Sequence, residues 1–245
     1  MTEQDRTETK DRYTRRWRQC GYDSRTLGWN KDCQWVRFQA AFENICEADC
    51  HSVLDVGCGF GDLLDYLRQT GWRGRYVGVD LVDDLLAEAR RRHADDTSAE
   101  FVCDDIQLFR WTQTYDVAAA IGVFNHRLHQ DNLTFIRETL ACMWKLTTKV
   151  VICDFLSMSA DPEHQQSNLY YADPRQLYAI AAAYSRRVMI HHAYMPFEFQ
   201  IKMWHDDAFL AEAPVFQPYR HLASAQTDSR KGMGRHDTLT GEGPG

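Results

Sequence analysis

The run VLDVGCGFGDLL, residues 53–64, sets Gly57, Gly59 and Gly61 between an apolar strand and the start of a helix. Glycines at such a turn let a ligand approach the backbone closely and let the helix pack against the strand. A dinucleotide would rest its pyrophosphate on the helix N-terminus and prefers the spacing G-x-G-x-x-G. Here the spacing is G-x-G-x-G, and Asp55 and Asp62 flank the loop, so a pyrophosphate would lie between two like charges. A ligand carrying positive charge suits this loop better. Nineteen residues after Gly61, Asp80 ends the apolar run YVGVD, where a carboxylate can accept both hydroxyls of a ribose. In FVCDDIQLF, residues 101–109, Asp105 is suited to accept from an adenine amino group and Ile106 to pack on the ring. Cys58, Leu81 and Ile121 complete the expected cofactor contacts.

S-adenosylmethionine meets these demands: it has a nucleoside, an ammonium and a sulfonium, and no phosphate. With these three motifs the chain resembles the class I S-adenosylmethionine-dependent methyltransferases over about residues 50–155. The resemblance implies that Gly57, Gly59 and Gly61 face the methionine part, Asp80 the ribose, and Asp105 with Ile106 the adenine. It also implies methyl transfer, here to a small metabolite or natural-product intermediate. A related group of methyltransferase-like enzymes supplies an alternative, in which the cofactor's own amino group attacks its γ-carbon to give azetidine-2-carboxylate and methylthioadenosine. A third reading is a non-catalytic nucleotide-binding domain.

Methyl transfer from a sulfonium is an in-line displacement, so the protein has mainly to align an acceptor and exclude water. Acceptor groups in such folds lie beyond the carboxyl ends of the strands. Candidates for catalytic roles follow. Asn125, in IGVFNHR after the fourth strand, can orient an amine or carboxylate, and Tyr170 and Tyr171 offer aromatic faces to a cation. His126, beside Asn125, has the chemistry of a base. No D-P-P-Y or N-P-P-Y follows the fourth strand, which argues against DNA or glutamine amide methylation. Arg37 is the expected partner of the cofactor carboxylate. Tyr13, Trp17, Tyr22, Trp29 and Gln34 belong to a helical lid, while Arg12, Arg15, Arg16 and Arg18 read as its solvated basic face.

These residues need a scaffold. Apolar strands near 52–57, 75–80, 100–104, 115–121 and 149–155 alternate with amphipathic stretches near 61–70, 82–93 and 131–146, the pattern of right-handed crossovers and a parallel sheet. Asp173–Pro174 starts a further helix, and two closing strands, 185–194 and 196–204, form an antiparallel edge hairpin. The expected fold is doubly wound α/β, a mainly parallel seven-stranded sheet with an N-terminal helical lid. The expected divisions are a disordered 1–10, a lid over 11–50, a Rossmann-like domain over 51–205 and a largely disordered extension over 206–245.

The 245 residues suffice for one sizeable domain. A formal charge of −7 makes nucleic acid an unexpected partner, and no run is apolar enough to span a membrane. Without a secretory signal the chain is expected in the cytoplasm. Its eight cysteines are scattered, and the cluster Cys46, Cys50 and His51 lacks zinc spacing, so no metal is expected.

Overall fold

The structure is a computed structural model that describes residues 1–28, 31–45, 50–209, 211 and 214–222. The expectations for Trp29, Cys46 and residues 223–245 lie outside the described residues. One unit comprises Met1–His205 and a second Asp206–Gly245, the latter with a short 3-10 turn at Gln217–Tyr219. Among the described residues no helix is long and apolar enough to cross a membrane.

The strands are β1 Ser52–Val56, β2 Arg75–Asp80, β3 Ala99–Cys103, β4 Tyr115–Ala120, β5 Thr147–Leu156, β6 Val188–Met195 and β7 Glu198–Trp204. The helices are α1 Glu3–Cys20, α2 Ser24–Leu27, α3 Lys31–Phe42, α4 Asp62–Gln69, α5 Asp83–Arg92, α6 Asn132–Leu146 and α7 Pro174–Ala182. The strands form one sheet of seven in the order β3-β2-β1-β4-β5-β7-β6. Neighbours from β3 to β5 pair parallel, and β7 runs antiparallel between β5 and β6. This is the doubly wound sheet read from the alternating pattern. The strand order reverses between β1 and β4, which opens a crevice beyond their carboxyl ends.

Both faces of the sheet are covered, so its central strands read as unbroken apolar runs. Leu54, Val77 and Ala118 face Phe135, Ile136 and Leu140 of α6, and Leu177 and Ile180 of α7. On the other face Val53, Val117 and Ile152 meet Phe38 of α3 and Leu63, Leu64 and Leu67 of α4. The expected start of α7 is present: Asp173 accepts from the Arg175 amide at 2.9 Å, ahead of Pro174.

Strand β7 divides its alternation between oil and polarity. Phe199, Ile201 and Met203 enter the core, while Glu198, Gln200 and Lys202, also buried, turn toward α3. Gln200 donates to the Arg37 carbonyl at 2.9 Å, and Lys202 Nζ donates to the carbonyls of Ala40 and Glu43 at 2.7 Å each. The lysine thus satisfies carbonyls at the end of α3 that have no helical partner.

The expected disorder of residues 1–10 is corrected: α1 begins at Glu3. Thr2 caps it, accepting from the Asp5 amide at 3.1 Å and donating to the Asp5 carboxylate at 2.6 Å. Asp5 is only 2% exposed and accepts from the amides of His129 (2.7 Å) and Gln130 (3.3 Å), while Arg6 pairs with Asp105 at 3.3 Å. Polar contacts, which leave no apolar periodicity in the sequence, hold this segment. Burial alone would raise the Asp5 pKa, but the bonds from Thr2, His129 and Gln130 outweigh it and lower it. Asp5→Ala should cost about 1–3 kcal/mol, because two amides lose their acceptor. Urea unfolding and the rate of proteolysis within residues 3–20 would measure this; unchanged values would show that the latch contributes nothing.

Candidate active site

Strand β1 ends in a turn that only glycine tolerates. Gly57, Gly59 and Gly61 have φ of 72°, 54° and 75°. The amides of Gly57 and Cys58 both donate to the Val79 carbonyl, at 2.8 and 3.2 Å, which ties the turn to β2. A Cβ on Gly57 would stand 2.7 Å from Val123 Cγ2, and one on Gly59 would stand 3.1 Å from Leu27. The loops after β1 and β4 therefore approach backbone to side chain with no room to spare.

A cavity opens at this place. Its floor is Asp55–Gly59, Asp80, Leu81, Asp104–Ile106 and Ile121–Val123, with His126 at one side. Its roof is Thr9, Arg12 and Tyr13 of α1, with Leu27, Gln34 and Phe38 from α2 and α3. Of the residues expected from sequence, the cavity gathers Asp55, Gly57, Cys58, Gly59, Asp80, Leu81, Asp105, Ile106 and Ile121.

Each carboxylate in the floor is oriented. Asp80 accepts from the Gly59 amide and the Val82 amide, at 2.9 Å each, one on each oxygen. Burial raises its pKa, and those amides pull it back. Asp105 accepts from the Gln107 amide at 2.9 Å and pairs with Arg6. Asp55 accepts from the Tyr76 hydroxyl at 2.5 Å, and burial pushes its pKa up to about 7. Asp62, expected to add negative charge at the loop, instead turns to Arg92 at 3.0 Å and to the Tyr22 hydroxyl at 3.2 Å. The floor still suits a cationic nucleoside: amides fix both oxygens of Asp80, and the positive-φ glycines keep the approach to the backbone open.

Two expected cofactor residues are not brought to the cavity. Gly61 is the N-cap of α4, and a Cβ there would meet His93 Nε2 at 3.0 Å and Phe101 at 3.1 Å. Its bareness serves helix–strand packing. Arg37 points the other way: its Nε donates to Glu198 Oε2 at 2.5 Å, its Nη2 bonds Oε1, and Asp154 lies 3.9 Å away. The guanidinium is engaged by Glu198, 161 residues on, and does not face the cavity.

Asn125, Tyr170 and Tyr171 also stand apart from the cavity lining. Tyr171 accepts from the Gln166 amide at 3.0 Å and donates to the His164 carbonyl at 3.3 Å, so it braces its own loop. Tyr170 packs against the core, and its amide donates to the Asn125 carbonyl at 3.0 Å. Asn125 Oδ1 is buried without a hydrogen-bond partner. Next to it, His126 does line the cavity, its ring edge-on to Tyr13 with centroids 6.1 Å apart. Burial, then the charges of Arg12 and Arg16, lowers its pKa to about 4. It is a neutral imidazole across the physiological range.

Behind the floor, Asp154 on β5 accepts from the Gly122 amide at 2.5 Å and so positions the turn that carries Ile121 and Val123. Sequence reasoning missed it, and its one signal is a carboxylate within the otherwise apolar VVICDFL. Burial, then Glu198, raises the Asp154 pKa to about 7, against the pull of Gly122 and Arg37.

A model of the methyltransferase domain matches residues 53–145. Rv1506c of Mycobacterium tuberculosis (strain ATCC 25618 / H37Rv), whose name places it with the methyltransferases, is 32% identical over 158 residues. That match covers 63% of this chain and 93% of the relative. Magnesium protoporphyrin IX methyltransferase from Synechocystis PCC 6803, solved with bound S-adenosylhomocysteine, has a TM-score of 0.59 at 16% identity, covering 82% of this chain and 99% of that one. The N-methyltransferase NodS from Bradyrhizobium japonicum WM9, also in complex with S-adenosylhomocysteine, reaches 0.58 at 12% identity, covering 80% and 97%. The sheet order, the glycine turn and the ordered aspartates define a class I S-adenosylmethionine-dependent methyltransferase. The chain belongs to the methyltransferase family.

Two outcomes follow. Gly57→Ala should weaken S-adenosylhomocysteine binding by more than about tenfold and cost at least 1–2 kcal/mol or so of stability, since the new methyl meets Val123 at a strained φ; calorimetric titration and urea unfolding would read both. Asp154 has a folded pKa above its unfolded value, so the stability linked to its acid form is present at low pH and lost as pH rises through about 7. Asn keeps an acceptor for Gly122 without that titration. The melting temperature of Asp154→Asn should therefore fall less than that of the wild type between pH 6 and 8.5; parallel curves would refute the linkage.

Proposed function

We propose that this chain transfers the methyl group of S-adenosylmethionine to a small molecule bound on the β4 side of the cleft. The observation that carries the reading is the roof: Thr9, Arg12 and Tyr13 line the same cavity as the glycine loop and Asp80, a covered arrangement that favours a compact acceptor. The −7 charge agrees with an acceptor other than nucleic acid. When bound, the cofactor supplies an already activated methyl group. Asp80 would hold the ribose hydroxyls, Asp105 and Ile106 the adenine, and the loop from Gly57 to Gly59 the methionine part. The remaining work belongs to the protein. The roof excludes water, and His126, a neutral imidazole facing the cavity beside Tyr13, is placed to accept a hydrogen bond from the acceptor's N–H or O–H. Asn125, one residue before, lies behind the cavity lining with its side-chain Oδ1 buried. Tyr170 secures this loop, its backbone N–H donating a hydrogen bond to the Asn125 backbone carbonyl.

The direct test supplies S-adenosylmethionine with fractionated small metabolites, and separately with RNA and protein, and follows S-adenosylhomocysteine release. Release only with a small-molecule fraction supports the reading, and release only with a polymer overturns it. Cofactor alone should stay intact; methylthioadenosine with a new amino acid would identify cyclisation instead. With the acceptor in hand, His126→Ala should lower kcat/KM about tenfold while S-adenosylhomocysteine binding changes less than about twofold. The wild-type rate should show no His126 ionisation above about pH 5, because its pKa lies near 4.

A further inference from the structure

Arg12 is the one arginine or lysine among the described residues lining the cleft, which also holds Asp55, Asp80, Asp104 and Asp105. Each aspartate already has a partner. Asp55 has the Tyr76 hydroxyl, Asp80 two amides, Asp105 the guanidinium of Arg6, and Asp104 the Asp105 amide at 2.7 Å. Arg12 pairs with none of them, and its Nη1 is buried without a hydrogen-bond partner. A long, flexible side chain on a helix surface would ordinarily carry its charge out to water. An unmade bond to a buried charged donor is costly, so the inward pose marks a place where something else completes it.

The chemistry of that something is narrow. A guanidinium is matched by two oxygens of one anion, bonded as a fork. The next residue, Tyr13, meets His126 edge-on, which puts this stretch of α1 over the β4 side of the cleft. Arg16, one turn on, lies over the Tyr13 ring at 5.6 Å and adds positive charge there. The aspartates of the floor suit the cationic parts of the cofactor; the roof has the opposite preference.

We propose that Arg12 is the carboxylate receptor of this cleft, and that the carboxylate belongs to the methyl acceptor, held beneath the roof beside His126. This inference rests on the methyl-transfer reading above. The same chemistry has one other source, the carboxylate of the cofactor's methionine part, and the experiment separates the two. Wild type, Arg12→Gln and Arg12→Lys are titrated calorimetrically with S-adenosylhomocysteine and with methylthioadenosine, which lacks the carboxylate. Benzoate is then titrated onto each S-adenosylhomocysteine-loaded protein and followed by saturation-transfer NMR.

The expected result is unchanged binding of both nucleosides and about ten- to hundredfold weaker benzoate binding in Arg12→Gln, the equivalent of a hydrogen bond to a charged group. Arg12→Lys should recover part of it. Weakened S-adenosylhomocysteine with unchanged methylthioadenosine would keep Arg12 as receptor and overturn the assignment of its carboxylate to the acceptor. Equal weakening of both nucleosides would show a structural role and overturn the proposal. So would benzoate binding that is absent from the wild type or the same in every variant while both nucleosides bind unchanged. Wild type that binds neither nucleoside would instead sink the methyl-transfer reading.

Discussion

The cleft depends on how closely two turns approach each other. The turn after β1 brings Gly57 against Val123 of the turn after β4, at a separation no side chain on residue 57 would fit. Neither turn is free to drift. The first is tied to the Val79 carbonyl by two amides, and the second hangs by the Gly122 amide from Asp154. Asp154 in turn neighbours Arg37, whose guanidinium is paired with Glu198 on β7. A line of buried charge thus runs from the sheet's antiparallel strand to the back of the cofactor loop. Buried ions are poor sources of net stability, since desolvation offsets much of their attraction. Their effect here is to fix position, because each has few alternative partners inside the core.

Around this fixed floor, the two ends of α1 are held by different forces. Its later turns carry Trp17, whose ring lies 5.5 Å from Phe60 of the glycine loop, in a small apolar cluster with Tyr13, Leu27, Val82 and Leu85. Its first turn relies on Asp5 and Arg6. The apolar end carries the register of the helix over the cleft, and the polar end closes it over Asp105.

Much of this was legible in sequence for a simple reason: the informative residues are local. Glycine spacing, a carboxylate at the end of a strand and apolar runs of strand length are decided within ten or so residues, and the structure has the sheet they imply. Pairings across long separations were not legible. Arg37 has the right chemistry to bind a carboxylate, yet nothing in QWVRF tells that Glu198 will reach it first. Tyr170 and Tyr171 read as an aromatic pair near a cation, whereas one is taken up by the core and the other by its loop. Residues 1–10 read as disordered because they carry no apolar periodicity. The capping box Thr2–Asp5 was present in TEQD, but its tertiary partners, the amides of His129 and Gln130, carry no side-chain signature at all. Arg12 reads in sequence as one of several solvated arginines, and nothing in RYTRRWR tells that its side chain joins the cavity lining.

The polar first turn of α1 has a kinetic consequence. The turn is joined to the body mostly by hydrogen bonds and ion pairs that water can replace one at a time. Such a segment belongs to the low end of a protein's local opening energies. That opening is accordingly sensitive to added salt, which screens Arg6 from Asp105.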